Sequence, residues 1–169
     1  MQLFTLSSSI RVAALACGVL LGACAKKGDN PTPTPANSSI SWTVDNASYT
    51  SASADVTVQG TDMLLTGIAS APGSTNNAIN LVVPAATGTY NLASAPANAN
   101  YLLSYSINSS SANATTYIAS SLLGNGTGAV TVTTYSATEV IGTFSFTGSS
   151  SSGNTGTKVI TNGKFSVKR

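Results

Sequence analysis

From Ile40 to the C-terminus, apolar and polar residues alternate with a period of two. In "ISWTV" the side chains of Ile40, Trp42 and Val44 share one face. "DVTVQ" alternates in the same way, as does "VTVTTY" from Val130 to Tyr135. In "VIGTFSFTG", Val140, Gly142, Phe144 and Phe146 fall on one side and Ile141, Thr143 and Ser145 on the other. β-Branched and aromatic residues fill these runs and turn residues separate them, which is the signature of half-buried strands. The pattern predicts strands over roughly 39–45, 47–53, 54–59, 63–69, 77–83, 88–92, 100–107, 114–120, 128–135 and 139–147, with one more at the end. No segment after the first 23 residues carries a helical period. Short sequential strands joined by short turns predict an all-β domain, an antiparallel meander of about ten strands closed as a β-sandwich or flattened barrel.

The turns carry their own signals. Asp45-Asn46 separates "SWTV" from "ASYT", and both residues tolerate a positive φ, so a two-residue hairpin is expected there. Gln59-Gly60-Thr61-Asp62 and Ala71-Pro72-Gly73-Ser74 read as further turns, and Ser109–Asn113 and Gly148–Gly156 as longer polar loops. In "KVITNGKFSVK" the Asn162-Gly163 pair is a hairpin signal by itself. A hairpin at that point would mix charged and apolar residues on both faces. A single strand places Val159, Thr161, Gly163, Phe165 and Val167 inward and Lys158, Ile160, Asn162, Lys164 and Ser166 outward, with Gly163 leaving room for a neighbouring ring or bend. The single strand is the cleaner pattern.

The N-terminal residues obey a different logic. Arg11 is followed by an apolar or small run from Val12 to Ala23, too short for a bilayer-spanning helix of about 20 residues but suited to the core of an export signal. The run ends Leu21-Gly22-Ala23-Cys24, which resembles the bacterial lipobox: a branched apolar residue, two small residues and a cysteine whose thiol receives the lipid. Residues 1–23 are therefore expected to be a lipoprotein signal peptide and Cys24 the acylated first residue of the mature chain. Ala25 follows the cysteine in place of an inner-membrane retention aspartate, so the outer membrane is the expected location. Residues 24–38 then form a tether. Pro31, Pro33 and Pro35 alternate with Thr32 and Thr34, a composition that favours an extended polyproline spacer of about 3.1 Å per residue. The β-domain occupies 39–169.

Composition narrows the chemistry. The chain has no histidine and two cysteines; Cys17 lies in the signal run and Cys24 is the acylated residue. This leaves no expected disulfide, no free catalytic thiol and no imidazole base, so Ser-His-Asp and Cys-His catalysis are excluded. A transition-metal site and a cofactor are not expected. Between Asn30 and Thr157 there is no lysine or arginine, so the counterion-displacing cluster that nucleic-acid binding needs is missing from the body of the domain. Its acids are Asp45, Asp55, Asp62 and Glu139. A pair of carboxylates can hydrolyse glycosides, but local spacing brings no two of these together, and each has a turn or surface reading. Trp42 and Tyr117 are the candidate ligand-contacting aromatics. Tyr117 flanks the polar 109–113 loop, while Trp42 shares the Ile40–Val44 face and fits the core better. Tyr101 and Tyr105 share a face with Leu103, which places them in the core.

The ordered set "SWTVDNASYTSASA", "ATGTYNLA", "GTGAVTVTTY", "VIGTFSFTG" and "VITNGKFSVK" resembles a family of small lipid-anchored all-β proteins of Bacteroidota. The resemblance covers most of Ile40 to Lys168, with Asn46 in place of the family's hairpin glycine. It implies a location and a fold, with no catalytic residue to carry across. The expectation is a membrane-anchored envelope lipoprotein that binds a glycan or protein partner and is not an enzyme. The alternatives are a lipocalin-like carrier of a small apolar ligand and, behind it, a carboxylate-only hydrolase.

Overall fold

Strands form where the alternation predicts them. The computed structural model describes residues 37–71, 75–151 and 156–169. Among these, β1 (Ser39–Val44), β2 (Ala47–Thr50), β3 (Ser53–Gln59), β4 (Asp62–Ala71), β5 (Thr75–Pro84) and β6 (Gly88–Asn91) precede a single 3-10 turn at Leu92–Ser94. There follow β7 (Leu102–Ile107), β8 (Thr115–Ser120), β9 (Thr127–Tyr135), β10 (Glu139–Ser150) and β11 (Thr157–Lys168). The first hairpin turns through Asp45 and Asn46, at φ 51° and 64°, the left-handed pair that a two-residue loop between twisted strands requires. Asn46 adopts this shape without glycine because its short polar side chain tolerates it.

All ladders are antiparallel, and the hydrogen-bonded order is β2-β1-β11-β10-β8-β7-β5-β4-β3, with β9 on β10 and β6 on β9. Two devices curl this sheet. The first is the bent segment from β2 to β3: Ser51 N donates to Ile40 O and Ala52 N to Ile68 O, both at 2.8 Å. One continuous stretch thus serves β1 with its first half and β4 with its second, and the two edges of the order meet. The second is β10, which changes partner along its length. Val140 to Thr147 pair with β9, and Ser149 and Ser150 pair with Ile118 and Tyr117 of β8. Gly148 permits the switch, since a Cβ there would lie 2.9 Å from the Tyr117 carbonyl carbon. The first residues of the polar stretch expected as a loop from Gly148 are therefore strand. β6 leaves the meander by pairing with β9 and not with β5.

The inward faces share one core, with Ile40, Leu65, Ile79, Leu81, Val83, Leu103, Val130, Val140, Ile160 and Val167 all at 0% exposure. Tyr101 and Tyr105 lie in it with Leu103, as the shared face predicts. Full burial of one such side chain is worth about 1.5–3 kcal/mol, so this face dominates the stability. Three phenylalanines pack on glycines. Phe165 pairs across the ladder with Gly142, Phe144 with Gly163, and Phe146 with Gly128.

The C-terminal segment is one strand, but its faces differ from strict alternation. Gly163, Phe165 and Val167 are buried as expected; Val159 and Thr161 are exposed, and Ile160 is buried at 0%. The cause is a β-bulge. Gly163 pairs with Phe144 and Ile160 with Phe146, so Thr161 and Asn162 together face the single Ser145. Asn162 takes φ 52° to accommodate the extra residue. The Asn-Gly signal thus marks a bulge, and every residue before it changes face.

Candidate functional site

The sequence-predicted aromatics sit toward the end of the sheet marked by the Asp45-Asn46 turn. Trp42 is 1% exposed and stacks on Tyr49 with ring centroids 5.7 Å apart, so it cannot serve as a ligand platform. Its alternation with Ile40 and Val44 is what turns it inward. Tyr117 is half-buried, stacked on buried Tyr105 at 6.4 Å, and Lys158 Nζ lies 6.0 Å from its ring centroid. Lys158 also bonds the Asp45 carboxylate. Because of the bulge, Lys158 shares the inward side of β11 with Ile160, and its stem closes this end of the core while its ammonium reaches solvent. The Asp45 hydrogen bond raises the Lys158 pKa. Burial raises that of Tyr105, with further contributions from Tyr49, Asp45 and Tyr117. The arrangement is a cap, and no sequence signal short of the bulge would have found Lys158.

The four acids of the domain are dispersed. Asp45 occupies the first turn and Asp55 lies in β3 opposite Thr66. Asp62 faces Gln59 and Pro84, and Glu139 faces Lys168. None is the register partner of another. Among the described residues no three Cys, Asp or Glu side chains gather as a metal site would require. Cys24 and most of the tether lie outside the described residues.

Polar chemistry concentrates on the outer face of β6-β9-β10-β11-β1-β2. Thr89, Thr131, Thr143, Lys164, Ser41 and Thr50 are successive register partners across these six strands. At about 4.8 Å between neighbouring strands, the row runs for ~24 Å. Thr89 and Thr131 hydrogen-bond each other at 3.2 Å, while the hydroxyls of Thr143, Ser41 and Thr50 make no bond to the protein among the described residues. Beside this row lie Thr43 and Ser48, themselves paired and bonded at 3.2 Å. Two grooves open on the face. One, of about 390 Å³, is lined by Thr133, Ile141, Thr143 and Ser166 with Ser41 and Lys164. The other, of about 330 Å³, is lined by Thr43, Ser48, Thr50 and Asn162 together with Trp42 and Tyr49, and shares Ser41 and Lys164 with the first. The two grooves therefore meet at that pair. Sequence reading missed this face because no single Ser or Thr is informative; only the register aligns them.

A family model described as "Domain of unknown function (DUF6252)" matches residues 36–167. No curated protein matches the chain. No solved structure matches it.

Proposed function

The chain belongs to this family, and we propose that it is a lipid-anchored binding module of the bacterial outer membrane whose partner is a polysaccharide. The observation that carries the reading is the hydroxyl row from Thr89 to Thr50 and the two grooves that meet on it. Its spacing of about 4.8 Å per strand is close to the length of one pyranose unit, so successive sugars meet successive hydroxyls. A protein interface would favour exposed aromatic anchors, and here Trp42, Tyr101, Tyr105, Phe144, Phe146 and Phe165 are buried in the domain, while Tyr49, Tyr90, Tyr117 and Tyr135 are partly buried against the same core.

The anchor supports the same reading. Leu21-Gly22-Ala23-Cys24 supplies the lipidation signal, and the tether enters the domain at Ser38, whose hydroxyl accepts a hydrogen bond from Lys168 N at 3.0 Å. The carrier alternative is weaker, because Ile40, Leu65, Leu81, Leu103, Val130, Val140 and Ile160, one from each of seven strands, have no accessible area and so line no void that admits water among the described residues. The carboxylate-only hydrolase is weaker still, given four separated acids.

The test is affinity electrophoresis of the full, detergent-solubilised protein through gels containing a panel of envelope and extracellular polysaccharides. At least one should retard it, and Thr143→Val with Ser41→Ala should relieve the retardation. A panel without retardation sinks the proposal. Fractionation of Cys24→Ser tests the anchor: the variant should lose lipid labelling and stay unprocessed or be released.

A further inference from the structure

We infer that the polysaccharide is anionic, with one carboxylate or sulfate group seated on Lys164; this rests on the reading of the outer face given above. Lys164 occupies the middle of the hydroxyl row, between Thr143 on β10 and Ser41 on β1. It is exposed and lines both grooves where they meet. Among the described residues it has no ion-pair or hydrogen-bond partner. The other charges lie at the rims: Glu139, its register partner Lys168 and Arg169 at one end, and the bonded pair Asp45 and Lys158 at the other. Within the row itself Lys164 is the one charged side chain, and it carries no carboxylate partner among the described residues.

Chemistry then sets the ligand class. Thr and Ser hydroxyls donate to and accept from sugar hydroxyls without regard to charge. An ammonium has three donors and no accepting lone pair, and it favours an anionic acceptor over a neutral one. A compact point charge suits a single monoanionic group better than the forked guanidinium would. A sugar unit bearing one such group, with neutral hydroxyls on either side of it, matches the sequence Thr143, Lys164, Ser41 along the row.

The experiment measures binding of the full, detergent-solubilised protein to three probes: a polyuronate, its methyl ester, and a sulfated galactan. The wild type should bind at least one charged probe more tightly than the ester, and rising salt should erase the difference. Which charged probe it prefers separates carboxylate from sulfate. Lys164→Gln should weaken the charged probe about fivefold, the size of one exposed charged contact, and leave the ester unchanged. Lys164→Arg should restore most of the loss. Melting of each variant beside the wild type controls for folding. Equal binding of ester and charged probes overturns the inference and leaves the polysaccharide reading standing. So does a Lys164→Gln variant that weakens all probes alike. Failure to bind any of the three probes overturns the inference, and the electrophoresis panel then decides the broader reading separately.

Discussion

Gly163 lies directly across the ladder from Phe144, and a Cβ on Gly163 would fall 2.6 Å from that ring and 2.4 Å from the Phe144 carbonyl oxygen. The same relationship joins Gly142 to Phe165, where the ring would be 2.4 Å away. The phenylalanines stack in series, Phe146 on Phe144 and Phe144 on Phe165, each pair at 6.5 Å. A flat ring laid over a glycine on the next strand fills the space a side chain would take and shields the backbone beneath it. Gly163→Ala should therefore cost about 1–3 kcal/mol by overpacking. A double-mutant cycle checks the cause. In a Phe144→Leu background the alanine should be cheaper by at least about 0.5 kcal/mol, because ring and methyl compete for one space. Strictly additive costs in urea melts would assign the clash to the Phe144 carbonyl oxygen, which the leucine leaves in place, and not to the ring.

Phe165 tests the placement of the final strand. It is 2% exposed, while its neighbour Lys164 faces out. Phe165→Ala should cost about 3–5 kcal/mol, against a total for such domains of about 5–15 kcal/mol. Lys164→Ala should stay within about 0.5 kcal/mol of wild type. Equal effects in denaturant melts would mean that this strand is not in the sheet.

Period-two alternation made most of the fold readable. The strands lie within a few residues of where "ISWTV", "VTVTTY" and "VIGTFSFTG" put them, because burial of one face fixes both element and register. What escaped the reading lies beyond any single strand. Asn162-Gly163 has one composition for two geometries, hairpin and bulge, and only the partners Phe144 and Phe146 decide between them. The change of face at Ile160 and Lys158 follows from that decision. The Gly148 crossing depends on β8, a segment about thirty residues earlier in the chain. The hydroxyl row on the outer face is a property of six strands in register.

Alkaline pH should loosen the domain. The Tyr105 pKa is raised in the fold, chiefly by burial, and that of Lys158 is raised chiefly by its hydrogen bond to Asp45. A raised folded pKa contributes stability that is fully present below the unfolded value and lost as pH climbs toward the folded one. For Tyr105 that loss starts near pH 10, the ordinary tyrosine value, and Lys158 adds to it from about 10.4 upward. Urea midpoints should thus be flat from pH 8 to about 9.5 and fall above it. Tyr105→Phe should flatten the fall, because the protons at stake are partly its own. An equally steep decline in that variant would assign the effect elsewhere.

The bulge itself can be dissected at Asn162. The residue takes φ 52°, a region that asparagine and glycine tolerate and β-branched residues resist. Asn162→Gly should accordingly be nearly neutral, within about 0.5 kcal/mol, whereas Asn162→Val should cost about 1–2 kcal/mol for the left-handed backbone alone. Deleting Asn162 asks a harder question. Without the extra residue, β11 cannot keep Phe165 against Gly142 and Ile160 against Phe146 at once. If the later half holds its register, Ile160 turns to solvent and forfeits about 1.5–3 kcal/mol of burial. Lys158 turns with it and leaves Asp45, uncapping the end of the core where Tyr105 and Tyr117 stack. The deletion should therefore destabilise more than Asn162→Val in urea melts, and it should also make Tyr105 ionise at lower pH as its surroundings open. A deletion no worse than the valine would show that the bulge is dispensable, and that the inward placement of Ile160 and Lys158 has another cause.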